Sequence, residues 1–584
     1  MMNGRIQKSL FIFYVGIIGL FYGLMLAGQL LGFMGGYRPV PAILTSVLAG
    51  AGAVWAYFHW EGWPFYDSIF ERLAEQERSR YLNVLLYAAS LIVILLLFVL
   101  PLVRWPYSPL GNNLTWDAGL YHFPKAIDLY RTGSFWDLGV PYGEYPIGYE
   151  SLLSFGLVIT QNEMLFGVVH ALIAVFFALT VWLLACRYTR LSPPLLFFAT
   201  SLLMLSGSIP VESNLWWIFY HLINTIGKND LLLSAAVLSV ILHAPVGMSR
   251  SENRFHEVGA ILVTMIAISV KPNAIFLVVP VWLVILWNWW QKSYRDASSG
   301  PVFFWKRLLA AGALISPGIL WLVRNYWVTG RFFSDTASTV QTWSILSNIR
   351  NPYLYRYLPR NFIILGLLVG ILLMLAVWKS RPSRSMTAIL FILFLKFIAS
   401  PASAFSGDRM VPAQIAWRFA ADFLAYGFVL LAVIVEPLIQ RWYDAIRVHV
   451  LGNVLIIGVV IAVCSGLIWY QSDSLRYIPA NGIVLRDQFR EKVGNGSYYS
   501  AYDYLRRNIR DSVVWVENGL PYYAFGPGFT NSISRSEKAE YTLVFQTAWF
   551  GGDEAYPEIV ETSEWQGNWK LVYEDSQGRV YRRK

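Results

Sequence analysis

The feature that most constrains this chain is a long succession of apolar runs, each close to the length that carries a helix across a bilayer. About 20 apolar residues span the hydrocarbon core as an α-helix. Runs of roughly that kind occupy 10–33, 40–58, 82–103, 163–186, 193–210, 229–244, 257–271, 273–290, 307–323, 361–379, 386–402, 416–436 and 450–470, thirteen in all. Lipid offers the backbone no hydrogen-bond partner, so such runs must be helices. The overall balance agrees: of 584 residues, 56% are hydrophobic and 14% charged, which fits a polytopic membrane protein better than a string of soluble domains. The fold class predicted is an α-helical polytopic membrane protein of about thirteen spans.

Loop charges give the orientation. With Arg5 and Lys8 placed on the cytoplasmic side, the loops on that side carry Arg72, Arg78 and Arg80, then Arg187 and Arg190, Arg250 and Arg254, and Lys292 to Arg307. The later ones carry Lys379, Arg381 and Arg384, then Arg441 and Arg447. All are basic, as the positive-inside tendency requires. The longer loop 324–360 is basic too and opposes the assignment. The formal charge of +10 is explained by these loops and gives no reason to expect nucleic acid as a partner. The run 10–33 is too long for a signal-peptide core and reads as a retained first span. Cys186 and Cys464 lie in or beside apolar runs, with neither a disulfide framework nor zinc spacing. The segment 59–80 reads as a helix on the inner surface.

This orientation places the polar stretch 104–162 and everything after Tyr470 outside the membrane. The stretch holds Asp117, Asp128, Asp137, Glu144 and Glu150 among aromatics, glycines and prolines. Two readings stay open for it: a solvated connector, or acidic groups on a scaffolded loop where chemistry happens. The domains predicted are therefore a transmembrane part over 1–470, with 104–162 as its first large outer loop, and an extracytoplasmic α/β domain over 471–584. In that tail SYYSAYDYLRRNIR reads as an amphipathic helix, and DSVVWVEN, YTLVFQT, NWKLVYED and GRVYRR read as strands. Acceptor recognition or stability is the role its position suggests.

Polar residues at the predicted outer ends of the spans are few, hence informative. Lys228, Asn229 and Asp230 open the sixth span, Lys271 closes the seventh, and Arg324 and Asn325 close the ninth. Lys396 lies in the outer half of the eleventh and Arg418 opens the twelfth. Any one of these cations is accounted for by a side chain snorkelling to the interface. Several on one face suit a cavity for an anionic head group, phosphate above all, which Arg binds bidentately and Lys as a point charge. The matching chemistry has a carboxylate such as Asp117 deprotonating an acceptor hydroxyl while cations stabilise a departing phosphate. A divalent cation held by paired carboxylates is an alternative source of that charge, and no His/Cys cluster singles out a metal.

DAGLYHFP, with Asp117, Tyr121 and His122 ahead of Pro124, resembles the first outer loop of the GT-C superfamily of integral-membrane glycosyltransferases. The likeness is to the bacterial group of the protein O-mannosyltransferases and the lipid A aminoarabinose transferase. GEYPIGYE resembles that group's Glu-Lys-Pro stretch, with Glu144 at the acid; KND at 228–230, ISVKPNA with Lys271, WLVRNYWVTG with Arg324 and Asn325, and WRF at 417–419 resemble later motifs in order. Ala118, Tyr145 and Arg331 depart from the pattern, replacing a second acid, a lysine and an asparagine.

The resemblance implies that Asp117 is the catalytic acid, assisted by Glu144, and that Lys271, Arg324, Arg418 and Lys228 hold the donor phosphate. Tyr121, His122, Asp230, Asn325 and Lys396 are further candidates. It implies a polyprenyl-phosphate sugar donor, a lipid, glycan or protein acceptor, and the outer face of a bacterial plasma membrane. A polyprenyl-linked glycan polymerase or ligase, or a non-enzymatic lipid flippase, are the alternatives.

Overall fold

A computed structural model describes residues 2–70, 80–95, 99, 117–205, 226–246, 255–295, 300–333, 370–371, 381–399, 417–447, 500–517, 519–534, 536–546, 555–575 and 578–584, with isolated positions between 454 and 466. In chain order its helices are α1 (Met2–Phe33), α2 (Pro39–Tyr57), α3 (Trp63–Phe70), α4 (Arg80–Ile94), α5 (Phe123–Thr132), α6 (Gly148–Thr160), α7 (Leu165–Tyr188) and α8 (Pro193–Leu205). They continue with α9 (Asp230–His243), α10 (Glu257–Val270), α11 (Ala274–Arg295), α12 (Gly300–Ile315), α13 (Leu320–Thr329), α14 (Arg381–Ile398) and α15 (Ala421–Arg447). The tail adds α16 (Ser500–Asn508) and α17 (Ser563–Asn568).

Helices occupy the described parts of the apolar runs. The run 361–379 lies almost wholly outside the described residues, and most of 450–470 does too. Among the described residues, six helices are long and apolar enough to cross a membrane: Gly4–Phe33, Pro39–Trp60, Leu165–Tyr188, Ala274–Ser293, Phe304–Thr329 and Ala421–Arg441. Four more apolar helices are shorter, among them Asp230–His243 and Glu257–Val270. Position in the bundle follows from side-chain character. Every residue of α9 is buried, as befits a helix that is apolar all round. At the periphery α2 exposes Val40, Leu44 and Leu48, and α11 exposes Phe276, Leu283 and Trp287. Apolar faces of that extent on the outside of a bundle mark a membrane protein.

The stretch read as a large loop is helical over much of its length. A π-helical turn, Ala118–His122, runs into α5, and α6 follows at Gly148. Among the described residues of this stretch, 133–147 and 161–162 lie outside helices; the rest satisfy their own backbone. Pro124 sits in the first turn of α5. It has no N–H to give and its ring crowds the carbonyl four residues back, so the preceding turn widens. The segment read as an inner-surface helix contains a second π-helical turn, Phe58–Gly62, and then α3; residues 71–79 of it are outside the described set.

The tail carries a five-stranded sheet of β1 (Val513–Glu517), β2 (Ser532–Ile533), β3 (Tyr541–Phe545), β4 (Trp569–Glu574) and β5 (Gly578–Arg583), in the order β2-β1-β3-β5-β4. The four segments read as strands are strands, and α16 lies within the predicted amphipathic helix. β1 pairs parallel to β2 and β3, and β3-β5-β4 is antiparallel. Parallel neighbours need a crossover. Here the chain between β1 and β3 supplies the 3-10 turn Pro521–Phe525, and this turn docks the tail on the bundle. Tyr522 Oη donates to Glu163 Oε1 at 2.9 Å, and its ring packs on Phe123 with centroids 5.3 Å apart. Arg131 Nη2 donates to the Thr530 carbonyl at 3.0 Å.

Candidate functional site

Asp117 stands at the N-terminal edge of the π-helical turn, half-buried. Gly227 fixes what lies beside it. Its φ is +88°, and a Cβ there would stand 2.1 Å from the Ala118 Cβ, so only glycine fits the turn and only a small residue fits at 118. The second acid absent at Ala118 would meet this wall. The Gly227 N–H donates to Tyr149 Oη at 3.2 Å, joining the start of α6 to the same turn. Lys228, Asn229 and Asp230 follow directly.

One turn on from Asp117, His122 Nδ1 lies 2.7 Å from Glu150 Oε1, and both side chains are about 1% exposed. Lys125 Nζ is 3.5 Å from the same oxygen and donates to the Tyr145 and Pro146 carbonyls at 3.2 and 3.1 Å. Burial lowers the His122 pKa, against the raising pull of Glu150 and Asp117. The ring is therefore neutral at neutral pH, donates Nδ1–H to the carboxylate, and keeps Nε2 as an acceptor. Burial also draws the Lys125 ammonium down to about 8, opposed by Glu150. Around Asp117 stand three tyrosines: the Tyr121 ring is 5.0 Å from that of Tyr142, and Tyr142 is 5.3 Å from Tyr145. Burial and the nearby Asp117 charge raise the Tyr142 phenol.

The phosphate-binding candidates divide. Lys271 caps the end of α10, donates to Asp230 Oδ1, and lies 5.2 Å from the centre of the Phe419 ring. Phe419 follows Arg418 in the 3-10 turn Trp417–Ala420, so Lys228, Asp230, Lys271 and that turn converge. Buried polar capacity remains unused there: among the described residues, Asn229 Oδ1 and both polar side-chain atoms of Asn273 have no hydrogen-bond partner. Arg324 and Asn325 are bound up elsewhere. Arg324 donates to the Phe135 and Tyr145 carbonyls at 3.1 and 3.4 Å and to Asn325 Oδ1 at 2.8 Å. Asn325 Nδ2 donates to the Glu144 carbonyl at 2.8 Å. Together they hold the connection 133–147 in place. Lys396 Nζ lies 2.8 Å from Asp422 Oδ2 and donates to the Phe419 carbonyl at 2.8 Å, pinning the start of α15.

Glu144 is half-buried and faces a cavity of about 350 Å³ between the connection and the tail. Asp117, Lys271 and Arg324 are not in its walls. Glu144 does raise the pKa of Lys125, which ties it electrostatically to the buried network. Sequence reading missed Lys125, Tyr149, Glu150 and Asp422 as site or supporting residues. Glu150 closes the quoted GEYPIGYE and Lys125 directly follows the quoted DAGLYHFP, and their i+28 and i+3 spacing from His122 becomes meaningful only once α5 and α6 are packed. No cluster of three or more His, Cys, Asp or Glu suited to a metal ion occurs among the described residues.

No protein-family model matches this chain, and no curated protein matches it.

Proposed function

We propose that this chain is a GT-C-type glycosyltransferase with about thirteen spans. On this reading it moves a sugar from a polyprenyl-phosphate donor to an envelope acceptor at the outer face of a bacterial plasma membrane. The observation that supports it most is the gathering, at one end of an apolar helix bundle, of Asp117 with the His122–Glu150–Lys125 network and the Lys228, Asp230 and Lys271 group.

Asp117 accepts the proton of an acceptor hydroxyl as that oxygen bonds to the anomeric carbon. The bond from that carbon to the phosphate oxygen breaks, and the polyprenyl phosphate leaves. Lys228 and Lys271 stabilise the charge that builds on it. An ammonium has three donors, so pairing with Asp230 and contact with a phosphate are compatible, and Asp230 keeps Lys271 aimed. His122, neutral and oriented by Glu150, steadies the turn that carries Asp117. Arg324, Asn325 and Lys396 are positioning residues in this scheme, since their polar groups already hold the connection and the start of α15.

The test is transfer from a synthetic short-chain polyprenyl-phosphate sugar by purified full-length protein. Glycoside formation supports the reading. Donor binding without transfer to any of a broad panel of hydroxyl acceptors would overturn it in favour of a lipid carrier.

A further inference from the structure

We infer that the cavity between the connection 133–147 and the tail is a binding site for a neutral or amine-bearing sugar, the acceptor of the transfer proposed above. The inference rests on that reading for the word acceptor, and on the cavity itself for the ligand class. At about 350 Å³ it falls at the lower end of the range of about 300–1,000 Å³ usual for small-molecule sites.

Its walls come from two parts of the chain distant in sequence. Tyr142 and Glu144 enter from the connection, and Trp515, Ser534 and Glu537 enter from the tail. The two sides are locked together at Gly139, where a Cβ would stand 3.1 Å from the Ser534 Cα. Neither wall encloses anything alone, so the site exists only when the tail is docked.

The chemistry of the walls selects the occupant. Among the described residues they contain two carboxylates, Glu144 and Glu537, and no lysine or arginine. These two charges disfavour an anionic head group, which separates this cavity from the cationic group around Lys271. Carboxylates accept hydrogen bonds from sugar hydroxyls or an ammonium. Trp515 and Tyr142 are among the lining residues, an aromatic type that packs on the C–H side of a pyranose ring, and Ser534 adds a hydroxyl. Tyr142 reaches its place with φ at +54°, a conformation unfavourable for a bulky residue. The Tyr142 ring also stands beside Tyr121 in the turn after Asp117, so the cavity adjoins the proposed base.

The experiment is saturation-transfer NMR on the full-length protein in detergent. The probes are mannotriose, maltotriose and a glucosamine trimer, with glucose 6-phosphate as the anionic control. The neutral or amino sugars should receive saturation and the phosphate sugar should not. Glu537→Gln and Trp515→Ala should weaken binding by about tenfold or more. Trp515 also packs against Trp565, so Trp515→Phe, which keeps that contact, serves as the folded control and should weaken binding less. In the transfer assay Glu537→Gln should raise the acceptor KM and leave donor binding unchanged. Sugar binding lost in these variants while the parent transfers nothing supports the sugar site and removes the transferase reading. Transfer by the parent with an acceptor KM indifferent to Glu537→Gln and Trp515→Ala overturns the sugar site and leaves the transferase standing. No saturation of any uncharged or amino sugar, or equal saturation of glucose 6-phosphate, also overturns it.

Discussion

Two buried polar clusters, one at each end of the helix bundle, contain histidines, and they are built on opposite plans. At the end away from the tail, His243 donates Nδ1–H to the Ser239 carbonyl at 2.7 Å and accepts at Nε2 from Tyr57 Oη at 2.9 Å. His256 accepts at Nδ1 from the Gly259 N–H and donates Nε2–H to the Tyr57 carbonyl, both at 2.8 Å. Every ring nitrogen is used, and the rings stack on Tyr57 and Phe65. The imidazoles are satisfied within the cluster, and the buried cation beside them, Arg187, lies over the Phe65 ring and donates to the Ala244 carbonyl at 3.0 Å. At the tail-facing end His122 uses Nδ1 on Glu150. Glu150 Oε2 has no hydrogen-bond partner among the described residues. Carboxylates take the place of tyrosine and backbone as partners of the imidazole, and half-buried Asp117 borders the network. A cluster whose imidazoles are spent on tyrosine and backbone fixes helix positions; one that pairs a cation and an imidazole with a carboxylate beside a half-buried acid can act on something else.

The sharpest way to break this contrast is to remove Glu150. Glu150→Ala leaves Lys125 and His122 buried without their shared acceptor, and breaking a buried pair in this way costs about 3–5 kcal/mol. Thermal unfolding in detergent should show that loss together with loss of transfer. Lys396→Ala leaves Asp422 buried without its cation and should destabilise by about as much. Because Lys396 is assigned to positioning, donor affinity of the folded fraction should stay the same; a weakened donor affinity would return Lys396 to the phosphate site. His243→Phe, at the opposite end, orphans one donor and one acceptor for about 1–3 kcal/mol. Transfer per folded molecule should be unaffected, and a specific loss of turnover would dissolve the distinction between the two ends.

The smallest effect concerns pH. Burial, reinforced by the charge of Asp137 and opposed by Arg131, pushes the Asp128 carboxyl from its usual 3.8 up to about 7. A raised folded-state pKa contributes stability that is fully present below the unfolded value and is lost as pH rises through the folded one. Protection against hydrogen exchange in α5 and in the tail segment around Thr530, which Arg131 holds, should therefore fall modestly as pH rises from about 6 to about 7 and level off above, once the intrinsic pH dependence of exchange is divided out. Asp128→Asn should flatten that dependence, and an unchanged profile would place its origin elsewhere.

The apolar runs made the helices legible because length and hydropathy are local properties. The tail strands were legible for the same reason: VVWVE and YTLVF are β-branched and aromatic runs between turn residues. The helical character of 117–132 and 148–160 was obscured by Gly119, Pro124, Gly143 and Pro146, which read as loop punctuation. Tertiary packing overrides that signal, with Pro124 placed where a helix tolerates it. Which cations are available was not legible at all. Lys271, Arg324 and Lys396 look alike in sequence, each a lone cation at or near the outer end of an apolar run. They differ in their partners: Lys271 pairs with Asp230, Arg324 meets the Phe135 and Tyr145 carbonyls across 189 and 179 positions of chain, and Lys396 spends its ammonium on both Asp422 oxygens, 26 positions on, and on the Phe419 carbonyl.

The central claim is that the chemistry belongs to the tail-facing end and begins at Asp117. Its most direct test is Asp117→Asn, which preserves size and removes charge and basicity. Turnover of a synthetic polyprenyl-phosphate sugar should fall by about two to four orders of magnitude, with donor binding, measured in parallel on the same purified protein, retained. Near-normal turnover by Asp117→Asn would contradict the account.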